Sequence, residues 1–159
     1  MCIIEEKTEV FELIKNILIA NNDDKNIFLY GLADFFNSRN AYPNIDLAVI
    51  GDCKIDSDIT CQDNIKAILL NIGNSGNIKF NKNIQVITCG LKEKDTAIFS
   101  SINLDEGNVI LDLQRSIKNI NGETLEPFEK QIDIPDFAAG VKTEDLILAF
   151  TALTFCGRI

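Results

Sequence analysis

Apolar residues near the start of the chain recur at the spacing of a helix. Six of them recur at helical spacing between polar side chains: Val10, Phe11, Leu13, Ile14, Ile17 and Leu18. This pattern predicts an amphipathic helix from about residue 5 to residue 21. The apolar residues of 27–36 favour a second helix, although 27–31 alone would also suit a short strand. We therefore expect residues 1–40 to form a helical N-terminal part.

Three short apolar runs rich in β-branched residues follow, at 45–51, 65–72 and 84–89. Each run leads into a glycine-containing turn, as buried strands of a parallel sheet often do. The segments that join the runs leave room for short crossovers but not for full-length helices.

The pattern changes to an alternation of apolar and polar residues after the third run. Strands are expected over 96–102, 108–120 and 123–134. Asn121-Gly122 lies between the last two, and it predicts a two-residue type I′ hairpin turn because both central residues of that turn need a positive φ.

The end of the chain carries signals for strand ends and for a helix. Pro127 and Pro135 suit a strand end or an edge strand, since neither can donate a ladder hydrogen bond. Thr143 can cap a C-terminal helix, and the two acidic residues after it favour the positive end of that helix. The helical spacing then continues to Gly157.

Together these elements predict one α/β domain that spans residues 1–159. It is a small, three-layer-like domain in which a short parallel sheet of three strands continues into an antiparallel hairpin sheet, with N-terminal helices and a C-terminal helix. A chain of 159 residues can bury roughly two thirds of the surface of its unfolded form, and no linker or internal repeat divides it.

The net charge narrows the choice of partners. The chain has 15 Lys and Arg against 24 Asp and Glu, a formal net charge of −9. That charge repels phosphate backbones and anionic lipid surfaces, so neither nucleic acid nor a membrane is expected as a partner. The apolar run 13–20 is too short to span a bilayer and follows acidic residues rather than a cationic signal region. We therefore expect the protein to remain in the cytoplasm.

Five cysteines are scattered singly along the chain, and there is no histidine. This composition disfavours a zinc site, and neither a metal nor a cofactor is expected. Cys89 and Cys156 lie in apolar runs and are expected to be buried, reduced thiols. Cys53 and Cys61 flank a polar loop, where a metal or redox pair is the alternative.

The segments 86–91 (VITCGL), 97–102 (AIFSSI) and 140–157 together resemble the Mur ligase central domain. Residues 86–91 (VITCGL) are similar to a strand of the form I-T-x-G in that family, and 97–102 (AIFSSI) to the following segment of the form A-x-x-x-x-x-I. In the family the sheet passes from parallel to antiparallel at this point. Residues 140–157 resemble the family's glycine-started helix, whose alanines pack on the sheet and which a Leu-Gly pair ends. The likeness covers roughly residues 45–157 and rests on order and spacing.

The same resemblance shows which parts of a ligase are missing. The family's ATP-binding loop, G-x-x-x-x-G-K-[ST], occurs nowhere in the sequence, and the glycine-containing loops 51–55 and 73–77 lack its Lys-Ser/Thr pair. The family's acidic pair is replaced at 72–74, its His-Asn at 143–145, and its metal-binding histidine is absent. The resemblance therefore implies a truncated, degenerate and non-catalytic relative, without catalytic residues.

Five residues are the candidates for contact with a ligand: Gly51, Asp52, Asn71, Asn74 and Arg115. The first four end or follow predicted parallel strands, at the edge where α/β domains commonly bind ligands. Arg115 lies in a predicted strand, where it could bind a carboxylate or phosphate. Alternatively it pairs with an acid across the hairpin, for which three residues are in reach: Glu123, Glu126 and Glu129.

The sequence names no ligand and leaves several functions open. The first is a non-catalytic Mur ligase-like binding or scaffold module, which the resemblance links to cell-wall precursor metabolism. The alternative is a small homo-oligomeric interaction protein without a small-molecule ligand, whose N-terminal helices form the subunit interface. A third is a metal-dependent enzyme that uses Asp52, Asp56 and Asp58 to hold Mg²⁺ or Ca²⁺. The alternative interpretation of these three residues is an ordinary solvated acidic turn.

Overall fold

The computed structural model describes residues 2–5, 8–21, 28–31, 45–51, 59–60, 65–71, 78–79 and 83–159. The strands within these residues are β1 (Cys2–Glu5), β2 (Phe28–Gly31), β3 (Ile45–Ile50), β4 (Ile59–Thr60), β5 (Ile65–Asn71), β6 (Ile78–Lys79), β7 (Gln85–Gly90), β8 (Ala97–Asn103), β9 (Asn108–Leu113), β10 (Ile117–Lys118), β11 (Thr124–Leu125) and β12 (Phe128–Asp133). The helices are α1 (Thr8–Ala20) and α2 (Thr143–Phe155), and a 3₁₀ helix spans Asp136–Ala138.

Eight of the described strands form one mixed sheet in the order β12-β9-β8-β7-β5-β3-β1-β2. From β2 to β8 in this order all neighbours are parallel, whereas β9 is antiparallel to β8 and β12 to β9. Two small sheets pair β10 with β11 and β4 with β6. The predicted α/β class, with a parallel sheet that continues into an antiparallel one, is confirmed. The predicted parallel strands correspond to β3, β5 and β7, and β1, β2 and β8 extend the parallel part.

Strand β2 shows that the predicted second helix is wrong for residues 28–31. Its register with β1 is continuous, from Cys2 opposite Phe28 to Glu5 opposite Gly31. Pairing across the sheet therefore decides the structure of a short apolar segment whose spacing suits a helix or a strand. The rest of that predicted helix lies outside the described residues. Helix α1 starts at Thr8 rather than near residue 5, because the preceding residues belong to β1.

Helices α1 and α2 pack against one face of the sheet and against each other. Five of the six apolar residues of the stripe predicted for α1 are buried, and Phe11 is half-buried. Helix α2 is enclosed more completely, since every side chain from Asp145 to Phe155 is buried, and this requires neighbours around its circumference. The opposite face of the central strands is also buried, at four residues: Ala48, Ile50, Ile68 and Leu70.

Both ends of α2 fall where the sequence predicts them. The helix begins at Thr143, although Lys142 is the N-cap residue and makes no side-chain capping bond, so Thr143 is not the cap. At the other end Gly157 has a φ of +65°. Its N–H donates to the Thr154 carbonyl, and the next N–H donates to the carbonyl of Leu153, which is a Schellman motif. Glycine suits this left-handed position because it has no Cβ.

The β10–β11 hairpin forms at the predicted place, but its turn has three residues rather than two. A two-residue turn at Asn121-Gly122 would place Ile120 opposite Glu123. Instead Lys118 lies opposite Thr124, and this register leaves the three residues 120–122 in the loop. The Asn119 side chain favours the longer turn, because its Oδ1 accepts from the N–H groups of Asn121 and Glu123, each at 2.9 Å. The predicted type I′ geometry is therefore wrong, although the hairpin itself is confirmed.

Strands β8, β9 and β12 form an arm that extends past the end of β7. Only the first two residues of β8 pair with β7, with Cys89 opposite Ala97 and Gly90 opposite Ile98. The other five residues of β8 continue to Asn103 beside β9. At the rise of an extended strand, this arm projects about 16 Å beyond the end of β7.

Candidate binding site at the carboxyl edge of the parallel strands

The carboxyl ends of β3, β5 and β7 lie side by side at one edge of the sheet. Asn71, the last residue of β5, is opposite Cys89 of β7, and Ile50 of β3 is opposite Leu70 of β5. Gly51 follows β3 in the same row; it is buried, and Asn71 is half-buried. The structure therefore brings together two of the predicted site residues at the edge where α/β domains commonly bind ligands.

Helix α2 runs against the direction of the parallel strands, so its first turn lies on the side of this edge. The Phe155 carbonyl in its last turn accepts from the Ile120 N–H at 3.1 Å, and the backbone of Lys118, two residues before Ile120, bonds to the Gln85 side chain at the start of β7. The N-terminal end of a helix attracts anions. However, the first turn of α2 already holds two carboxyl groups, one of them the buried Asp145, and these disfavour a further anion.

A connection of six residues, 91–96, joins β7 to the parallel strand β8. Parallel neighbours usually need a crossover of a dozen residues or more. Here the return is short because β8 overlaps only the last two residues of β7. The Asp95 N–H donates to the Lys92 carbonyl at 2.9 Å, and the Thr96 N–H donates to the Thr88 carbonyl at 2.8 Å. These two bonds turn the chain back beside β7.

Asp95 places a buried carboxyl group inside this connection, with 1% of the residue exposed. Its Oδ2 accepts a hydrogen bond from the Lys92 N–H at 3.2 Å. Its Oδ1 is buried without a hydrogen-bond partner among the described residues. Gly90 provides the space, since a Cβ added there would lie 2.5 Å from Asp95 Oδ2. Burial of a carboxyl group with so few hydrogen-bond partners lowers the stability of the fold. Asp95 is therefore the most unusual group at this edge.

The thiols of Cys89 and Cys156 are buried, as predicted. Burial raises the pKa of Cys89, and the charge of Asp95 raises it further. Burial also raises the pKa of Cys156, to about 12. Because the thiolate is the reactive form of cysteine, neither residue is suited to nucleophilic or redox chemistry at neutral pH.

Several residues of the predicted sites lie outside the described part of the chain: Asp52, Cys53, Asp56, Asp58, Cys61 and Asn74. Their contribution to this edge, as ligand contacts or as a metal or redox site, stays a prediction. The described members of the candidate site are therefore Gly51, Asn71, Gly90 and Asp95.

Arg115 does not join this group. It is exposed in the bend between β9 and β10, not in a strand, on the far side of β8 from β7. The alternative pairing with a glutamate across the hairpin is also wrong, because the ion pairs among the described residues do not include Arg115. Two of the three glutamates have other partners: Glu126 accepts from Ser116 at 2.8 Å, and Glu123 from Asn119 at 2.9 Å.

The predicted subunit interface on the N-terminal helices involves α1. The apolar stripe of this helix faces the core of the same chain, and among its large apolar side chains Ile19 is half exposed. The stripe is therefore occupied without a second subunit. Association of subunits through the N-terminal part stays a prediction.

The chain matches no protein-family model, no curated protein and no solved structure at a significant level. Within the ranges that the structure describes, no helix is long and apolar enough to cross a membrane. The same ranges contain no group of three or more His, Cys, Asp or Glu side chains that could hold a metal ion. Function must therefore be argued from the geometry of this edge and from the sequence segments that form it.

Proposed function

We propose that this chain is a non-catalytic binding or scaffold module of the Mur ligase central-domain type, linked to cell-wall precursor metabolism. The observation that carries the proposal is the junction of β7 and β8. There the resembling segments 86–91 and 97–102 form adjacent parallel strands, and the next strand, β9, is antiparallel. The third resembling segment, 140–157, contains α2, whose side chains share one core with Cys89 and Ala97. The order and contact of these three segments support the proposal.

A role in binding rather than in ATP chemistry is supported by the groups at the carboxyl edge. Phosphoryl transfer needs a lysine and a metal ion that neutralise the phosphates, but the sequence has no phosphate-binding motif. The described part of the edge instead has the buried carboxyl groups of Asp95 and Asp145. Asn71 offers an amide that both donates and accepts, which suits the hydroxyl and amide groups of a sugar-linked precursor.

Thermal unfolding with and without added compounds tests this proposal. The compounds are UDP-linked sugars, UDP, and ATP with Mg²⁺, and ATP hydrolysis is assayed in parallel. We expect a UDP-linked sugar to raise the melting temperature through contacts of its sugar with the edge, and UDP alone, whose phosphates the carboxyl groups of the edge disfavour, to raise it less. A concentration of about 100 times the Kd stabilises by about 2.7 kcal/mol, which is roughly 5–10 °C for a chain of this size.

A matched pair of variants locates the binding. Asn71→Ala should abolish the stabilisation by the sugar compound, whereas Gln131→Ala, an exposed residue of β12, should keep it. A melting temperature that no compound changes would overturn the binding role. ATP turnover by the purified chain would overturn the non-catalytic assignment.

A further inference from the structure

Exposed apolar side chains of the described residues concentrate at the tip of the arm. Among the described residues six large apolar side chains are exposed: Ile19, Val86, Leu91, Ile102, Leu104 and Phe137. Three of these belong to the tip, where Ile102 is 41%, Leu104 61% and Phe137 49% exposed. A single exposed apolar residue needs no explanation, but a group of them on a projecting element is typical of an interaction site.

The backbone brings the segments that carry these side chains together. Ile102 lies opposite Val109, which lies opposite Ile132, so one row crosses all three strands of the arm. The Ile134 N–H donates to the Gly107 carbonyl at 2.7 Å, which joins the end of β12 to the β8–β9 turn. The 3₁₀ helix that holds the third apolar residue begins two residues later. We call residues 102–106 and 133–137 the tip surface.

Acidic side chains lie on the same two segments as the exposed apolar ones. Four exposed acids lie within it: Asp105, Glu106, Asp133 and Asp136. The segments 102–109 and 132–138 contain no Lys or Arg. None of the four acids forms an ion pair with a described residue. The tip surface therefore combines apolar area with uncompensated negative charge.

We propose that the tip surface binds a cationic, amphipathic peptide segment of a partner protein, one that presents apolar side chains between lysines or arginines. The apolar side chains of such a segment would cover Ile102, Leu104 and Phe137, which supplies most of the affinity. Its lysines or arginines would be attracted by the negative charge of the four acids, which accelerates association and selects against other partners. This interaction surface is additional to the proposed binding of a sugar compound at the carboxyl edge.

The negative charge of the tip surface favours a cationic peptide over the other possible binding partners. A second copy of the chain would place the four acids of one tip against the four of the other, which disfavours self-association. Nucleic acid and anionic lipid are repelled for the same reason. A neutral apolar segment would cover the apolar side chains but would leave the acids uncompensated. A cationic amphipathic segment is the occupant that satisfies both features.

Titration of the isotope-labelled protein with a short synthetic peptide of alternating leucine and lysine tests the proposal. Amide chemical shifts locate the contact, and calorimetry gives the affinity. We expect shifts confined to 102–109 and 132–138. The variant Ile102→Ser/Leu104→Ser/Phe137→Ser should bind about tenfold more weakly or worse. Its matched control, Ile19→Ser/Val86→Ser/Leu91→Ser, should bind like the unchanged protein.

Charge is tested by a second matched pair. Neutralising the four acids of the tip (Asp105→Asn, Glu106→Gln, Asp133→Asn and Asp136→Asn) should weaken the peptide, and neutralising four exposed acids elsewhere (Glu9→Gln, Glu93→Gln, Glu129→Gln and Glu144→Gln) should not. A peptide of alternating glycine and lysine should fail to bind. Shifts outside the tip, equal loss in either control variant, equal binding of the glycine peptide, or a dimer that the tip variant dissociates in sedimentation would each overturn the proposal.

Discussion

Substitution of Gly90 by alanine tests the most unusual contact at the carboxyl edge. The added Cβ would lie 2.5 Å from Asp95 Oδ2 and 3.4 Å from its Cγ. Ordinary contact begins near 3.4 Å, so the carboxyl group must move by about 0.9 Å. The Lys92 N–H, at 3.2 Å from the same oxygen, would then lose its acceptor. Asp95 cannot simply turn outward, because only 1% of the residue is exposed.

The size of the effect follows from that lost bond. A hydrogen bond to a charged group contributes about 1.5–3 kcal/mol. The replacement of glycine by alanine at a compatible backbone position stabilises by about 0.4–1 kcal/mol through the unfolded state. Gly90 does not have a positive φ, so its backbone accepts alanine. We therefore expect Gly90→Ala to destabilise the fold by about 1–2 kcal/mol, entirely because of Asp95.

A double-mutant cycle measured by urea unfolding checks this cause. Gly90→Ala is compared in two backgrounds, one with Asp95 and one with Asp95→Ala. In the second background the clash is gone, and the same substitution should be neutral or slightly stabilising. The expected coupling free energy is about 1.5–3 kcal/mol. A coupling below about 0.5 kcal/mol, which is the scatter between independent sites, would refute the assigned contact.

Two further predictions concern the hairpin turn and the buried thiols. Asn119→Ala removes three side-chain hydrogen bonds of the β10–β11 turn and should cost about 1–2 kcal/mol in urea unfolding. Asn119→Asp should keep the two Oδ1 bonds but repel Glu123, and Glu123→Gln should restore stability; failure of that rescue would contradict the bond between the two side chains. Burial raises the pKa of Cys156 from 9.0 to about 12, so its stabilising contribution is complete below pH 9 and is lost as the pH rises towards 12. Between pH 9 and 11 this thiol should therefore lower the free energy of unfolding by about 1.4 kcal/mol per pH unit. Cys156→Ala should reduce the dependence of that free energy on pH by the same amount. An unchanged dependence would show that the pKa of the thiol is not raised by the fold.

Elements whose pattern is local were predictable from the sequence. Five of the six apolar residues of the α1 stripe are buried as their spacing indicates, and the three apolar runs form β3, β5 and β7. Pro127 and Pro135 flank β12, which is an edge strand of the described sheet. The end of α2 follows from Gly157. In each case the residue type and its spacing determine the conformation before any distant contact forms.

Features that depend on distant pairing were not predictable in the same way. Strand β2 is only four residues long, and its apolar residues fit a helix as well as a strand until β1 lies beside it. The hairpin turn at Asn121-Gly122 has the residues of a type I′ turn, but Asn119 supplies hydrogen bonds that favour one more residue in the loop. The sequence predicts a strand at Arg115 because apolar residues continue on both sides of it. In the structure β9 ends two residues before Arg115.

The carboxyl edge contains residues that the sequence predicts and one that it does not. Its position follows from the parallel strands, so Gly51 and Asn71 could be assigned to it from the sequence. Asp95 could not, because Lys-Glu-Lys-Asp at 92–95 has the composition of a solvated charged turn, and the first three of these residues are indeed exposed. Asp95 is buried, unlike these three, because Gly90 lies five positions before it and has no Cβ, which leaves room for the Asp95 carboxyl group. The relevant signal is therefore a pair, a strand-ending glycine together with an acid just before the next parallel strand, and neither residue carries it alone.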